Sequence, residues 1–153
     1  MMLRTLKKKE RDEILGFLED RFGFKRGVFA GFEFLANPKG RVFIVGKGIP
    51  ELAAGEKVAC ISMPFVRLGK AVKPTSVMIQ TFGKHAKRNV IELDRDEAKE
   101  FMEGSDLSVR DASCSEGYVI LRYRDYPLGC GLLKDGKIKN MLPKAKRMPV
   151  ELL

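Results

Sequence analysis

Arg122 and Arg124 stand two residues apart in the run GYVILRYRDY, and a basic series follows them: Lys137, Lys139, Lys144, Lys146 and Arg147. Side chains two apart share one side of an extended strand, so the two arginines can meet successive phosphates of a nucleic acid. Lys84, Lys87 and Arg88 form a second cluster in GKHAKR. Tyr118, Tyr123 and Tyr126 lie near the arginines and offer flat faces on which unpaired bases stack. The chemistry these residues support is the binding of phosphates and bases. For any one of them the alternative is an ordinary basic surface.

Catalytic chemistry has less to stand on. His85 is the only histidine, which rules out a histidine-based metal cluster. It suits an exposed linker position better than a general base. Cys60, Cys114 and Cys130 are odd in number and far apart, a pattern of neither a disulfide framework nor a zinc site. They are expected to be reduced and packed. Asp94, Asp96, Glu97, Glu100 and Glu103 crowd one predicted helix. Paired carboxylates can hold Mg²⁺ or exchange protons, but Arg95 and Lys99 are interleaved, and early acids suit a helix N-terminus. A solvated helix face is the better account. There is no G-x-x-x-x-G-K-[ST] loop and no Gly-rich strand-to-helix turn for a dinucleotide or S-adenosylmethionine. Gly46-Lys47-Gly48 is a short turn. No catalytic residue, metal or cofactor is expected.

These residues need elements to position them. From Tyr118 the pattern alternates, with Val119, Leu121 and Tyr123 on one face and Tyr118, Ile120, Arg122 and Arg124 on the other, which predicts a strand over Gly117–Asp125. A tight Pro-Leu-Gly turn follows. Asp135-Gly136 is a type I′ hairpin dipeptide and should join Leu128–Leu133 to Ile138–Leu142. Gly129 and Gly131 inside the first of these strands suggest a bulge or a close backbone approach. Upstream, Leu6, Ile14, Leu15, Phe17, Leu18 and Phe22 recur at helical spacing over residues 6–22, with Thr5 as N-cap and Gly23 just past the end. Gly27–Ala36 and Arg41–Val45 are predicted strands around an Asn37-Pro38-Lys39-Gly40 turn. A short helix over Pro50–Ala54 and strands over Lys57–Met63 and Ser76–Phe82 complete a mixed first part.

Charge divides the chain. The net charge is +9 and the pI about 9.6, a balance that favours nucleic acid or an acidic surface. Residues 1–88 carry 18 Lys+Arg against 8 Asp+Glu, residues 89–116 carry 3 against 9, and residues 117–153 carry 8 against 3. An acidic segment therefore separates two basic ones. No run of eighteen apolar residues appears, and the basic start Met-Met-Leu-Arg lacks the apolar core of a signal peptide. A cytoplasmic protein is expected. The polar stretch Gly83–Arg88 is the best domain boundary, with Lys73-Pro74-Thr75 as the second candidate.

YVILRYRDYPLGCGLL resembles the late strands of a PUA domain, a small RNA-binding pseudo-barrel, with Gly117, Val119, Leu128, Gly129 and Gly131 matching its pattern. NVIELDRDEAKEFMEGSDLSV, Asn89 to Val109, resembles that module's opening strand, helix and glycine loop, with Gly104 at the loop. The end from Lys139 to Lys144, with Arg147, is similar to the PUA-like tails of RNA cytosine-C5 methyltransferases. A mixed domain ahead of a PUA module resembles the layout of the Nip-seven type ribosome-assembly factors, with Arg41–Val45 and Glu51–Gly55 carrying that similarity. Archaeosine transglycosylases also place a domain ahead of theirs.

The resemblance implies an α+β fold: a pre-PUA domain over residues 1–84 and a PUA β pseudo-barrel over 85–153. It implies RNA binding without catalysis, on structured rRNA or tRNA, in ribosome assembly or RNA modification. An RNA methyltransferase or a pre-ribosomal particle is the further partner it suggests; neither membrane nor DNA is expected. The alternative is a protein-interaction adaptor that recruits a modification enzyme. The expected contacts are Lys84, Lys87, Arg88, Arg122, Arg124, Lys137, Lys139, Lys144, Lys146 and Arg147. Arg95, Lys99, Gly104 and Arg110 join them if the helix and its glycine loop take part. The acidity of that helix is a departure from the family pattern.

Overall fold

A computed structural model describes residues 3–49, 61–108 and 113–147 of the chain. It contains two five-stranded sheets. The first has the order β1-β2-β3-β4-β5, formed by Arg4–Thr5, Phe32–Ala36, Arg41–Gly46, Met63–Arg67 and Lys73–Pro74, all antiparallel. The second has the order β6-β8-β9-β10-β7, formed by Val90–Glu92, Gly117–Tyr123, Tyr126–Lys134, Lys137–Asn140 and Leu107–Ser108. It curls into a half-barrel. Only the β6–β8 pair is parallel among the described pairings. The fold is α+β, as expected.

Helix α1, Lys8–Phe22, buries Ile14, Leu15, Leu18 and Phe22, the stripe its sequence spacing predicts. It ends at Gly23, whose φ of 72° lets its N–H reach the Glu19 carbonyl at 2.9 Å. Its start differs from expectation. Thr5 pairs with Leu35 in β1 and is not the cap. The Glu10 carboxylate instead accepts the Lys7 backbone N–H at 3.0 Å and pairs with Arg4.

The predicted strand over Gly27–Ala36 is shorter. A 3₁₀ turn occupies Arg26–Phe29, and β2 begins at Phe32. The turn drives Phe29 inward, where its ring meets Phe24, Phe65 and Phe82 at 5.5, 5.2 and 5.1 Å, edge-on as aromatic quadrupoles prefer. Ser76–Phe82 is also not a strand but a helix, α2. The Thr75 hydroxyl accepts the Met78 N–H at 3.1 Å, and Met78, Ile79 and Phe82 are buried at helical spacing. A short apolar run reads equally as a buried strand or a buried helix, and the cap settles it here. Strand β4 starts at Met63, where the predicted Lys57–Met63 strand would end; residues 57–60, Cys60 and the predicted Pro50–Ala54 helix lie outside the described residues.

In the second sheet, Asp135 and Gly136 have φ of 52° and 75°, the type I′ geometry their sequence predicts. The preceding turn sits at Arg124-Asp125, with φ of 47° and 68°, not at Pro-Leu-Gly; Pro127 is already in β9, opposite Arg122. Gly131 is a close approach: a Cβ there would strike the Ile138 side chain. Helix α3, Arg95–Glu103, connects the two edge strands β6 and β7 and carries a capping box between Asp94 and Glu97.

Two apolar cores result. One lies within the half-barrel, among Ile91, Phe101, Val119, Leu121, Ile138 and Leu142. The other joins the two parts of the chain, because Ile120 and Cys130 pack with the phenylalanine cluster of the first sheet. Gly83–Arg88 is fastened across this junction. Lys87 and Arg88 N–H groups both reach the Phe22 carbonyl, at 2.7 and 3.1 Å, and Gly83 and Ala86 are buried.

Candidate nucleic-acid interface

Arg122 and Arg124 do not share a strand face. A bulge falls between Leu121 and Arg122, and Arg122 turns to Glu92 on the neighbouring parallel strand. Its Nε donates to the Glu92 carboxylate at 2.6 Å, and its side chain is only 20% exposed. Arg124 has left the strand for the turn, where its guanidinium carbon lies 5.2 Å from the Tyr123 ring centroid. Of the tyrosines, Tyr118 packs against the shared core, and its burial raises the hydroxyl pKa. Tyr126 is 70% exposed. Tyr123 is half-buried against the half-barrel core, so Tyr126 remains as the exposed stacking group beside an exposed Arg124.

The β9–β10 hairpin builds a denser site. Lys134 lies opposite Lys137, and Leu132 opposite Lys139, which places the three lysines on one face. They line a shallow groove of about 620 Å³ together with Asp106 and Ser108. Lys134 was missed in the sequence, although a two-residue Asp-Gly turn fixes the residues flanking it as partners.

The tail continues from there. Asn140 anchors it, donating to the Phe101 and Ser105 carbonyls at 2.8 and 2.9 Å. Lys144 is exposed at the start of a 3₁₀ turn, and Lys146 Nζ lies 3.5 Å from Gln80 Oε1. Arg147 lies against Gly104: a Cβ on that glycine, whose φ is 105°, would stand 2.6 Å from the guanidinium carbon. The open side of the loop glycine is thus covered by the chain's own arginine.

The remaining expected contacts are dispersed. Arg95 is exposed and Lys99 half-buried among the acids of α3. Lys84 and Lys87 are exposed at the junction. Arg88 caps the C-terminal end of α1, donating to the Glu19 and Asp20 carbonyls at 2.5 and 3.1 Å, where the helix dipole favours a cation. Arg110 lies outside the described residues.

The arginines therefore divide by occupation. Arg4, Arg26 and Arg122 pair with carboxylates. Arg11, Arg21 and Arg88 are spent on backbone carbonyls. Arg41 and Arg67, absent from the sequence-derived set, are exposed and lie directly opposite each other, with Lys73 next in register. Only strand pairing reveals that alignment. His85 is exposed, and Cys130 is buried, which pushes its thiol up to about 12. Among the described residues, no group of three or more His, Cys, Asp or Glu could hold a metal, and no helix is long and apolar enough to cross a membrane.

A family model described as the methyltransferase RsmF PUA domain matches residues 88–148. A ribosomal RNA small subunit methyltransferase F from Psychromonas ingrahamii is 36% identical over 72 residues, covering 47% of this chain and 15% of the relative. Its counterpart from Shewanella halifaxensis is 25% identical over 143 residues, covering 90% of this chain and 28% of the relative. The chain thus spans well under a third of either methyltransferase. A conserved PUA domain protein from Thermoplasma acidophilum superimposes with a TM-score of 0.61 at 17% identity, covering 95% of this chain and 98% of that one. Residues 88–148 therefore match the model of the RsmF methyltransferase PUA domain, and the chain shares the fold of a PUA domain protein.

Proposed function

We propose that this chain binds structured RNA, rRNA or tRNA, in the cytoplasm and catalyses no reaction on it, serving ribosome assembly or RNA modification. The observation that carries this is the exposed lysine face of the β9–β10 hairpin, Lys134, Lys137 and Lys139, on a PUA domain of a type carried by rRNA methyltransferases. Lys144 extends this face along the tail, and Arg124 with Tyr126 forms a second contact at the other end of β9. Phosphate neutralisation supplies affinity through counterion release. Stacking on Tyr126 supplies preference for unpaired bases. The sequence carries no loop for a methyl donor, which supports a binding role rather than a catalytic one.

The test is fluorescence anisotropy with a labelled rRNA hairpin across a salt series. Wild-type affinity should fall steeply with salt. Lys134→Gln with Lys137→Gln and Lys139→Gln should lower the logarithmic salt slope by about 2–3. Salt-independent binding, or none, would favour the adaptor. Methyl transfer from S-adenosylmethionine that tracks the purified chain would refute the non-catalytic role.

A further inference from the structure

Arg41, Arg67 and Lys73 lie outside the surface just described. They are consecutive partners across β3, β4 and β5: Arg41 is opposite Arg67, and Arg67 is opposite Lys73. Opposed residues in antiparallel strands project to the same face with Cβ atoms about 5 Å apart. Three cationic side chains therefore rise side by side, an arrangement that repels itself. None of the three forms an ion pair or a side-chain hydrogen bond among the described residues. By contrast, the arginines of α1 and β8 are all engaged.

All three line one groove of about 260 Å³, whose other wall includes Met141 and Pro143 of the PUA domain. Pro143 leads directly into Lys144, which is exposed, and then Lys146. Positive charge thus lines one wall of a cleft between the two parts of the chain, and the exposed Lys144 adjoins the end of the other wall. Such a cleft focuses the field and concentrates anions. A single small anion would satisfy one or two of the cations. A row spanning three strands suits a ligand with several linked negative charges, and a concave wall suits a strand rather than a flat bilayer.

We propose that this groove holds the sugar–phosphate backbone of a single-stranded RNA segment continuing from the hairpin and tail contacts, so that the RNA surface is composite and crosses both parts of the chain. This rests on the RNA binding proposed above. Phosphates would lie along Arg41, Arg67 and Lys73, with Lys144 at the end of the facing wall.

The experiment compares the full chain with Arg41→Gln/Arg67→Gln/Lys73→Gln on two probes: an rRNA hairpin, and the same hairpin with a single-stranded oligouridine extension. Wild type should bind the extended probe more tightly. The triple variant should lose that gain and lower the salt slope on the extended probe by about 2, at about 0.7 per single-strand contact. Its binding of the bare hairpin should stay within about twofold. The three side chains form no ion pair or side-chain hydrogen bond among the described residues, so the variant should melt near or above the wild-type temperature; should it unfold, Arg67→Gln alone should lower the slope by about 0.7. Wild-type affinity and slope in the variants would overturn the proposal. If the hairpin-lysine variant then still loses RNA, RNA binding stands and only the groove falls; if wild type binds neither probe, both fall. Binding of polyglutamate through these three residues, not competed by RNA, would overturn it in favour of an acidic protein partner.

Discussion

Arg122 and Glu92 are locked together across the parallel β6–β8 pair, with two guanidinium nitrogens at 2.6 and 2.5 Å from one carboxylate oxygen. The best-placed arginine of the predicted RNA strand is therefore a structural residue. Arg122→Ala should cost up to about 1 kcal/mol, the range of a partly exposed pair, read from urea unfolding, and should leave the RNA salt slope unchanged. A slope lower by about one would show that Arg122 meets phosphate after all.

Arg21 ties α1 to the PUA domain through the Tyr118 carbonyl at 2.7 Å, the Ser115 hydroxyl at 2.6 Å and the Ser115 carbonyl at 2.7 Å. With the shared core, this contact predicts one cooperative unfolding transition. Limited proteolysis should spare Gly83–Arg88 in the native protein. Arg21→Ala should destabilise by about 2 kcal/mol, since charged hydrogen bonds contribute about 1.5–3 each and not all are lost independently. Early cleavage in wild-type Gly83–Arg88 would show that the two parts separate readily.

Burial holds the Cys130 thiol up at about 12. It should resist iodoacetamide at pH 8–9 while the half-buried Cys114 reacts, as mass spectrometry of the labelled peptides can show. The folded pKa lies above the unfolded one, so this group's contribution to stability is full below the ordinary thiol range and declines as pH rises through the folded value. Labelling of Cys130 at the rate of Cys114 would mean that the junction core opens readily.

The acids of α3 have different duties. Glu97 and Asp94 cap the helix, and Asp94→Ala should cost about 1 kcal/mol. Glu100 and Glu103 are exposed and form no ion pair among the described residues. Glu100→Gln with Glu103→Gln should leave stability within about 0.5 kcal/mol and tighten RNA binding at low salt. Weaker binding would place RNA directly on this helix face.

Features set by neighbouring residues were legible in the sequence. The Asp135-Gly136 hairpin, the acidic helix with Gly104 after it, and Gly23 each carry their signal within a few positions. Ser76–Phe82 was not legible as a helix, because an apolar run has no decisive period and the Thr75 cap shows only as a contact. The turn at Arg124-Asp125 was obscured by Pro127 and Gly129, residues common in turns that here serve within β9; Asp tolerates the left-handed region at little cost. The site suffered more than the fold. Glu92 neutralises Arg122 from thirty residues away through a parallel pairing, and Arg41, Arg67 and Lys73 become neighbours only through strand register.

Both sheets end in very short strands. As described, β1, β5 and β7 span two residues each and β6 spans three. An edge this short gives another chain almost no ladder to extend, which guards against edge-to-edge aggregation. It also limits the ways a partner can engage. Recognition by adding a strand needs a length of unpaired backbone, and the edge strands among the described residues supply little of it. A ligand docking on these described surfaces should therefore be read mainly by side chains, and its identity should follow changes in surface charge and aromatic residues more than changes along the sheet margins.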